Sequence, residues 1–226
     1  MTGDGRGDAE IVARLGEVSQ RIAAAAARSG RTAAAVTLVG ATKGVEAARV
    51  AVAVHAGLRD VGENRAQDLL AKAPEVTAAV GSSPLRWHFL GTLQRNKVAA
   101  LAPWITLWES VDRPALAGVI ARHAPGARVL VEVNLGGEPQ KAGCRPDATG
   151  EVVEALGGAG LAVEGLMAVP PLGQPPRPWF ARLRALGEQL GLDELSMGMS
   201  DDYEAAIEEG ATIVRVGRAI FGERKV

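Results

Sequence analysis

The stretch Ser196–Gly222, SMGMSDDYEAAIEEGATIVRVGRAIFG, decides the fold. It reads as two consecutive strand ends, each followed by a turn and a helix start. Both turns carry what a phosphate group binds: backbone N–H groups freed by Gly198 and Gly217, the Ser200 hydroxyl, and the cations Arg215 and Arg218. Asp201 with Glu204 three residues on also has the pattern of a capping box. The two roles are compatible, because both use N–H groups at a helix start.

Working outward, short apolar runs alternate with amphipathic segments, the rhythm of βα units on a parallel sheet. Eight strands are expected, near Val36–Val39, Arg59–Val61, Arg86–Phe89, Ile105–Glu109, Arg128–Val133, Ala162–Met167, Glu194–Ser196 and Thr212–Val216. Eight strands close a (β/α)8 barrel, whose phosphate sites are commonly built from the loops after strands 7 and 8. That is where Ser196–Gly222 falls. An open doubly wound sheet would want a GxGxxG turn after its first strand, and the chain has GATKGV there. Helices are expected over Asp8–Ser29, Val45–Ala56, Asn64–Ala71, Gln94–Leu101, Pro114–His123, Asp147–Leu156, Pro178–Leu190 and Asp201–Glu208.

A chain of 226 residues, 47% of them apolar, is long enough for one large core, so a single domain over residues 1–226 is expected, with residues 1–7 as a disordered tail. The 25 basic and 26 acidic residues leave a net charge of -1 and no basic block, which gives a nucleic-acid partner no electrostatic support. Cys144 is the only cysteine, as suits a reducing cytoplasm. No apolar run approaches the ~20 residues of a membrane span, and MTGDGRGDAE is not a signal peptide.

Lys43 follows the run VTLVGAT at the C-terminal end of the first strand, the rim where barrel enzymes place reactive groups. On position alone it is a solvated strand-end lysine. Paired with a phosphate site, and partly desolvated by Val39 and Val45, its amine becomes a nucleophile for an aldehyde. Arg215 alternates with Val214 and Val216, so it points away from them, into the barrel or toward the helices. A position inside the barrel top would suit an anionic or aromatic ligand. His88 reads as a satisfied histidine under the third loop, Asn64 as a rim ligand or a helix cap, and the four tryptophans as core. No metal-ligand spacing and no GxSxG motif occurs.

The segments VTLVGATK, DVGEN, WHFLGTLQRNK, SVDR, VLVEVNLGGEPQKAG, GLMAVP, SMGMSDDYEAAI and TIVRVGRAIFG cover nearly the whole chain. Together they resemble the pyridoxal phosphate homeostasis proteins, also called proline synthase co-transcribed homologues. The resemblance implies the barrel of the N-terminal domain of alanine racemases, fold type III, with pyridoxal 5'-phosphate (PLP) held as an aldimine. Lys43 is then the Schiff-base lysine and Arg215 faces the pyridine nitrogen. Ser200, Gly217 and Arg218 hold the phosphate, while Asn64, His88 and Met167 line the pocket. This chain departs from the family pattern at Arg218, where a small hydroxyl residue is usual, at Gly44 after the reactive lysine, and at Arg65, where a tyrosine usually follows GEN.

The function implied is non-enzymatic: a cytoplasmic protein, expected to be a monomer, that holds PLP and releases it to PLP-dependent apoenzymes. The alternative is a PLP-dependent amino-acid racemase or lyase. Racemisation by two bases needs a second acid/base, a tyrosine in alanine racemases, and the only tyrosine here is Tyr203. A third reading, a barrel enzyme on a sugar phosphate without cofactor, uses the same lysine and phosphate site.

Overall fold

In the computed structural model, which describes residues 5–223, every expected apolar run forms a strand. The strands are β1 (Thr37–Ala41), β2 (Asp60–Glu63), β3 (Arg86–Phe89), β4 (Ile105–Val111), β5 (Arg128–Glu132), β6 (Ala162–Met167), β7 (Glu194–Ser196) and β8 (Ile213–Val216). All are parallel, each pairs with the next, and β1 pairs with β8 to close the barrel. The helices are α1 (Gly5–Arg28), α2 (Ala47–His55), α3 (Ala66–Val80), α4 (Val98–Leu101), α5 (Ala117–His123), α6 (Thr149–Gly158), α7 (Arg177–Leu190), α8 (Tyr203–Glu208) and α9 (Arg218–Phe221).

Most element ends shift by a few residues from the sequence reading, and the short α9 is an addition to it; three of the shifts have a clear physical cause or consequence. α1 starts at Gly5, so residues 5–7 of the expected tail are helical, and residues 1–4 lie outside the described residues. α3 continues past Ala71 and through Pro74 to Val80. A proline removes one backbone donor, but burial of Leu69, Ala73, Val76 and Val80 on one face outweighs that loss. α8 starts at Tyr203, so no capping box forms: Asp202 is the cap residue, and its carboxylate accepts the Met199 N–H at 2.6 Å.

Strand alternation sorts the core into two layers. Val61, Val129, Val131, Leu166, Val214 and Val216 belong to the large cluster shared with the helices. Val39, Leu107, Leu130, Met167 and Ile213 form a second cluster inside the barrel. Trp87 and Trp108 are buried in the first cluster and Trp104 and Trp179 pack against it. Ile11, Leu15, Val18 and Ile22 give α1 a buried stripe, with which it packs on α2, α8 and α9. Arg21 and Arg28 on its polar face pair with Glu204 and Glu208 of α8. The first helix is thereby fastened beside the β1–β8 seam.

Candidate functional site

A cavity of about 410 Å³ opens at the C-terminal ends of the strands. Lys43, Asn64, Ser200, Arg215, Gly217 and Arg218 all line it. They come from the ends of β1, β2, β7 and β8, so closure of the barrel is what brings residues 43 and 218 together.

Lys43 is exposed rather than partly desolvated. β1 ends at Ala41, and the turn through Gly44, with φ 69°, carries the lysine above the rim. Val45 shares the cavity, but Val39 is enclosed in the inner cluster. No hydrogen bond or ion pair to another described residue engages its ammonium.

Behind Lys43 lies a buried clamp. Glu63 is fully enclosed and meets the Lys72 ammonium at 2.6 Å. Its carboxylate also accepts from Thr42 Oγ1 at 3.2 Å and from the Asn64 N–H at 2.9 Å. Lys72 Nζ donates in turn to the Thr42 carbonyl at 2.7 Å. One carboxylate therefore ties together the residue before Lys43 and the backbone of Asn64. Asn64 does not start the helix after β2. Its Oδ1 is enclosed and has no hydrogen-bond partner among the described residues. The loop after β3 crosses so close to it that a Cβ on Gly91 would stand 1.8 Å from the Asn64 carbonyl oxygen, which explains the glycine.

Arg215 points into the barrel and is 6% exposed. One guanidinium nitrogen donates to Ser196 Oγ at 2.6 Å and another to the Ala168 carbonyl at 3.0 Å. Burial pulls its pKa below the usual arginine value, with Glu109, Glu132 and Asp202 opposing. The Ser196 hydroxyl donates to Glu109, whose other oxygen lies 2.5 Å from His88 Nδ1. His88 Nε2 lies 3.0 Å from Asp60, which Arg86 grips through two bonds of 2.6 Å.

His88 and Met167, expected in the pocket wall, are not among its lining residues. His88 is consumed by two carboxylates deeper in the barrel, and Met167 fills the inner apolar cluster. Both point inward, but from a lower level than the residues beyond the strand ends.

Ser200 Oγ accepts the Ala219 N–H at 3.3 Å, linking the loops after β7 and β8. A Cβ on Gly217 would come within 3.0 Å of the Ala41 carbonyl oxygen. Gly198 serves packing: at φ 93°, a Cβ there would lie 2.5 Å from Ala206 Cβ. Arg218 is half exposed and pairs with both oxygens of Asp201, with Glu223 3.5 Å from its Nε. Tyr203 is 1% exposed and under Arg21, whose guanidinium carbon lies 5.3 Å from its ring centre. It is not among the residues lining the cavity.

No protein-family model matches the chain. A pyridoxal phosphate homeostasis protein of Aquifex aeolicus is 42% identical over 226 residues, covering 94% of this chain and 97% of that protein. Another, of Pseudomonas aeruginosa, is 43% identical over 226 residues, with 95% and 96% covered. The chain belongs to the pyridoxal phosphate homeostasis protein family.

The solved structure of PipY from Synechococcus elongatus with PLP bound superimposes on this chain with a TM-score of 0.79. It is 34% identical and matches 94% of this chain and 100% of that one. Alanine racemase from Bartonella henselae shares the fold, with a TM-score of 0.71 at 11% identity over 97% of this chain and 61% of its own. The expected fold type III barrel is thus the one observed.

Four residues around the cavity of this family member escaped the sequence reading. Glu109 sits inside β4 and Glu63 and Ser196 are the last residues of β2 and β7, where an isolated polar residue gives no period of its own. Glu132, at the end of β5, lines a smaller cavity of about 190 Å³ that shares Val169 with the main one. Its Oε2 is enclosed without a partner among the described residues. Burial, reinforced by Asp112 and opposed by Arg215, pushes its carboxyl up to about 7. No helix of the described residues is long and apolar enough to cross a membrane.

Proposed function

We propose that this chain binds PLP covalently at Lys43 and serves its homeostasis by holding the cofactor and releasing it to apoenzymes. The observation that carries this reading is the convergence, in one cavity, of an exposed lysine, a hydroxyl and glycine from the β7 and β8 loops, and a buried arginine.

The residues present fit the group. Ser200 Oγ accepts from Ala219 and keeps its own proton for a phosphate oxygen. Gly217 leaves the backbone open to close approach, and Asn64 Oδ1 is an unused enclosed acceptor. When bound, PLP supplies an aldehyde for reversible attachment and a ring able to withdraw electrons. Lys43 Nζ would be the amine that attaches to that aldehyde, one water leaving, and hydrolysis by solvent water would detach it. An exposed lysine suits both directions. Arg215 offers only donors, so it cannot accept a hydrogen bond from a protonated ring nitrogen; it would favour the unprotonated nitrogen and a weakly electron-withdrawing ring. Such a site holds more than it activates.

The relatives carry the name of homeostasis proteins, which supports a binding role over an enzyme. The racemase alternative lacks its acid/base tyrosine in this cavity, because Tyr203 is packed under α1. A single domain, a monomer and a cytoplasmic setting complete the reading. The direct test is incubation of purified protein with PLP: a visible band is expected from the wild type and none from Lys43→Ala. A wild type that stays colourless overturns the reading.

A further inference from the structure

We propose that Ser196, Glu109 and His88 are positioning residues that hold Arg215 at the floor of the cavity, anchored at the opposite mouth of the barrel by Asp60 and Arg86. This rests on the reading above, in which Arg215 faces the cofactor ring.

The barrel interior carries five charged groups and one hydroxyl in a single file. Arg215 (β8) meets Ser196 (β7), then Glu109 (β4), His88 (β3), Asp60 (β2) and Arg86 (β3). Asp60 and Arg86 are the first residues of their strands, so the file runs from the C-terminal rim to the N-terminal mouth, where the Arg86 side chain is half exposed. Between them every member is buried: Ser196 and Glu109 at 0%, His88 at 3%.

The bond directions are fixed by inventory. The Ser196 hydroxyl has one proton, which goes to Glu109, so its lone pair is free for the Arg215 N–H. Both His88 nitrogens face carboxylates, and only an imidazolium can donate to both. The signs of the charged groups then alternate from end to end: Arg215 positive, Glu109 negative, His88 positive, Asp60 negative, Arg86 positive. Buried charges persist only when paired in this manner.

Arg215 Nη1 stands 4.0 Å from Glu109 Oε2, with the serine hydroxyl hydrogen-bonded to both. While His88 neutralises Glu109, the arginine is held by two hydrogen bonds, to Ser196 and Ala168. If His88 loses its charge, Glu109 is left with one counter-ion, Arg215, and draws it down and away from the cavity. The remaining charged groups acting on this end are Glu132 and Asp202, both of which act on Arg215. Ser196→Ala removes the spacer and should have the same effect without changing any charge.

Two measurements test this. In the cofactor-free protein, the His88 ring signals followed by NMR should keep the protonated shift through neutral pH, and Glu109→Gln should bring their titration down toward 6.5. A His88 that titrates at its ordinary value in the wild type sinks the chain whether or not PLP binds. With PLP, Ser196→Ala should weaken apparent affinity by roughly threefold or more and shift the visible band, while borohydride still traps PLP on Lys43. In an Arg215→Met background the same change should have no further effect. Equal losses in both backgrounds, or no loss in either, overturn the positioning role. A wild type without any band instead defeats the cofactor reading and leaves the His88 titration to judge the chain alone.

Discussion

Glu63 and Lys72 form a 2.6 Å ion pair behind the cavity, with side chains 0% and 10% exposed, and through it α3 is tied to the turn that carries Lys43. Removing one partner strands a buried charge. Lys72→Met is expected to cost on the order of 3–5 kcal/mol in denaturant unfolding. The double change Glu63→Leu with Lys72→Met should recover much of that stability, since an apolar pair is a fair substitute for a buried ion pair. It should not recover PLP retention, because Thr42 and Asn64 lose their tether. Retention restored along with stability would show the pair to be purely structural.

The pH dependence of stability has two separable windows. For His88, burial favours the neutral ring, but Asp60 and Glu109 outweigh it and raise the pKa to about 9. The folded state then binds one more proton than the unfolded state between 6.5 and about 9. The stabilisation is complete below 6.5 and is lost as pH rises through 9, an effect on the order of 3 kcal/mol.

Glu132 has the same sign at lower pH. Its folded value of about 7 lies above the ordinary 4.5, so its contribution is present below 4.5 and lost as pH rises through 7. Glu132→Gln should therefore be more stable than the wild type at pH 8 and indistinguishable from it near pH 4. Melting curves at the two pH values decide it, and a variant less stable than the wild type at pH 8 would count against a protonated Glu132.

Ser200→Ala should weaken PLP retention by about 1.5–3 kcal/mol, the worth of one hydrogen bond to a charged acceptor. Melting temperature without PLP should barely move, since Ser200 is not the cap residue of α8 and its one bond, from the Ala219 N–H in the first turn of α9, is long at 3.3 Å. Equal retention in the variant and the wild type would remove Ser200 from the phosphate site.

Arg218 is the family departure with a visible consequence, because Asp201 and Glu223 already claim its charge. Asp201→Asn frees the cation and takes an acid off the cavity wall. PLP should bind roughly two- to fivefold tighter at low salt, with the gain fading at high salt. Unchanged affinity at low salt would mean that Arg218 points away from the phosphate.

Much of this was legible in the sequence. β3, β6 and β7 have the expected bounds, because a short apolar run between turn residues has few alternatives in a parallel sheet. That Lys43, Asn64, Ser200, Arg215, Gly217 and Arg218 line one cavity was legible because each lies near or beyond the C-terminal end of a strand, which in a barrel is the rim. Depth was not legible. Alternation tells that His88 and Met167 point inward, but not that they lie below the cavity, because level depends on barrel stagger. Nor could Glu63 or Glu109 be found, since a buried carboxylate is recognised by partners far away in sequence: Lys72 and Thr42 for one, His88 and Ser196 for the other. α3 ran past Pro74 for the same reason, its packing outweighing a local break.

The central claim is that Lys43 is the covalent attachment point, and borohydride reduction of PLP-treated protein followed by peptide mapping tests it most directly. The expected result is one phosphopyridoxyl group per chain, carried by the peptide containing Lys43. A label on Lys72, Lys97, Lys141 or Lys225 instead, or no label at all, would contradict the account.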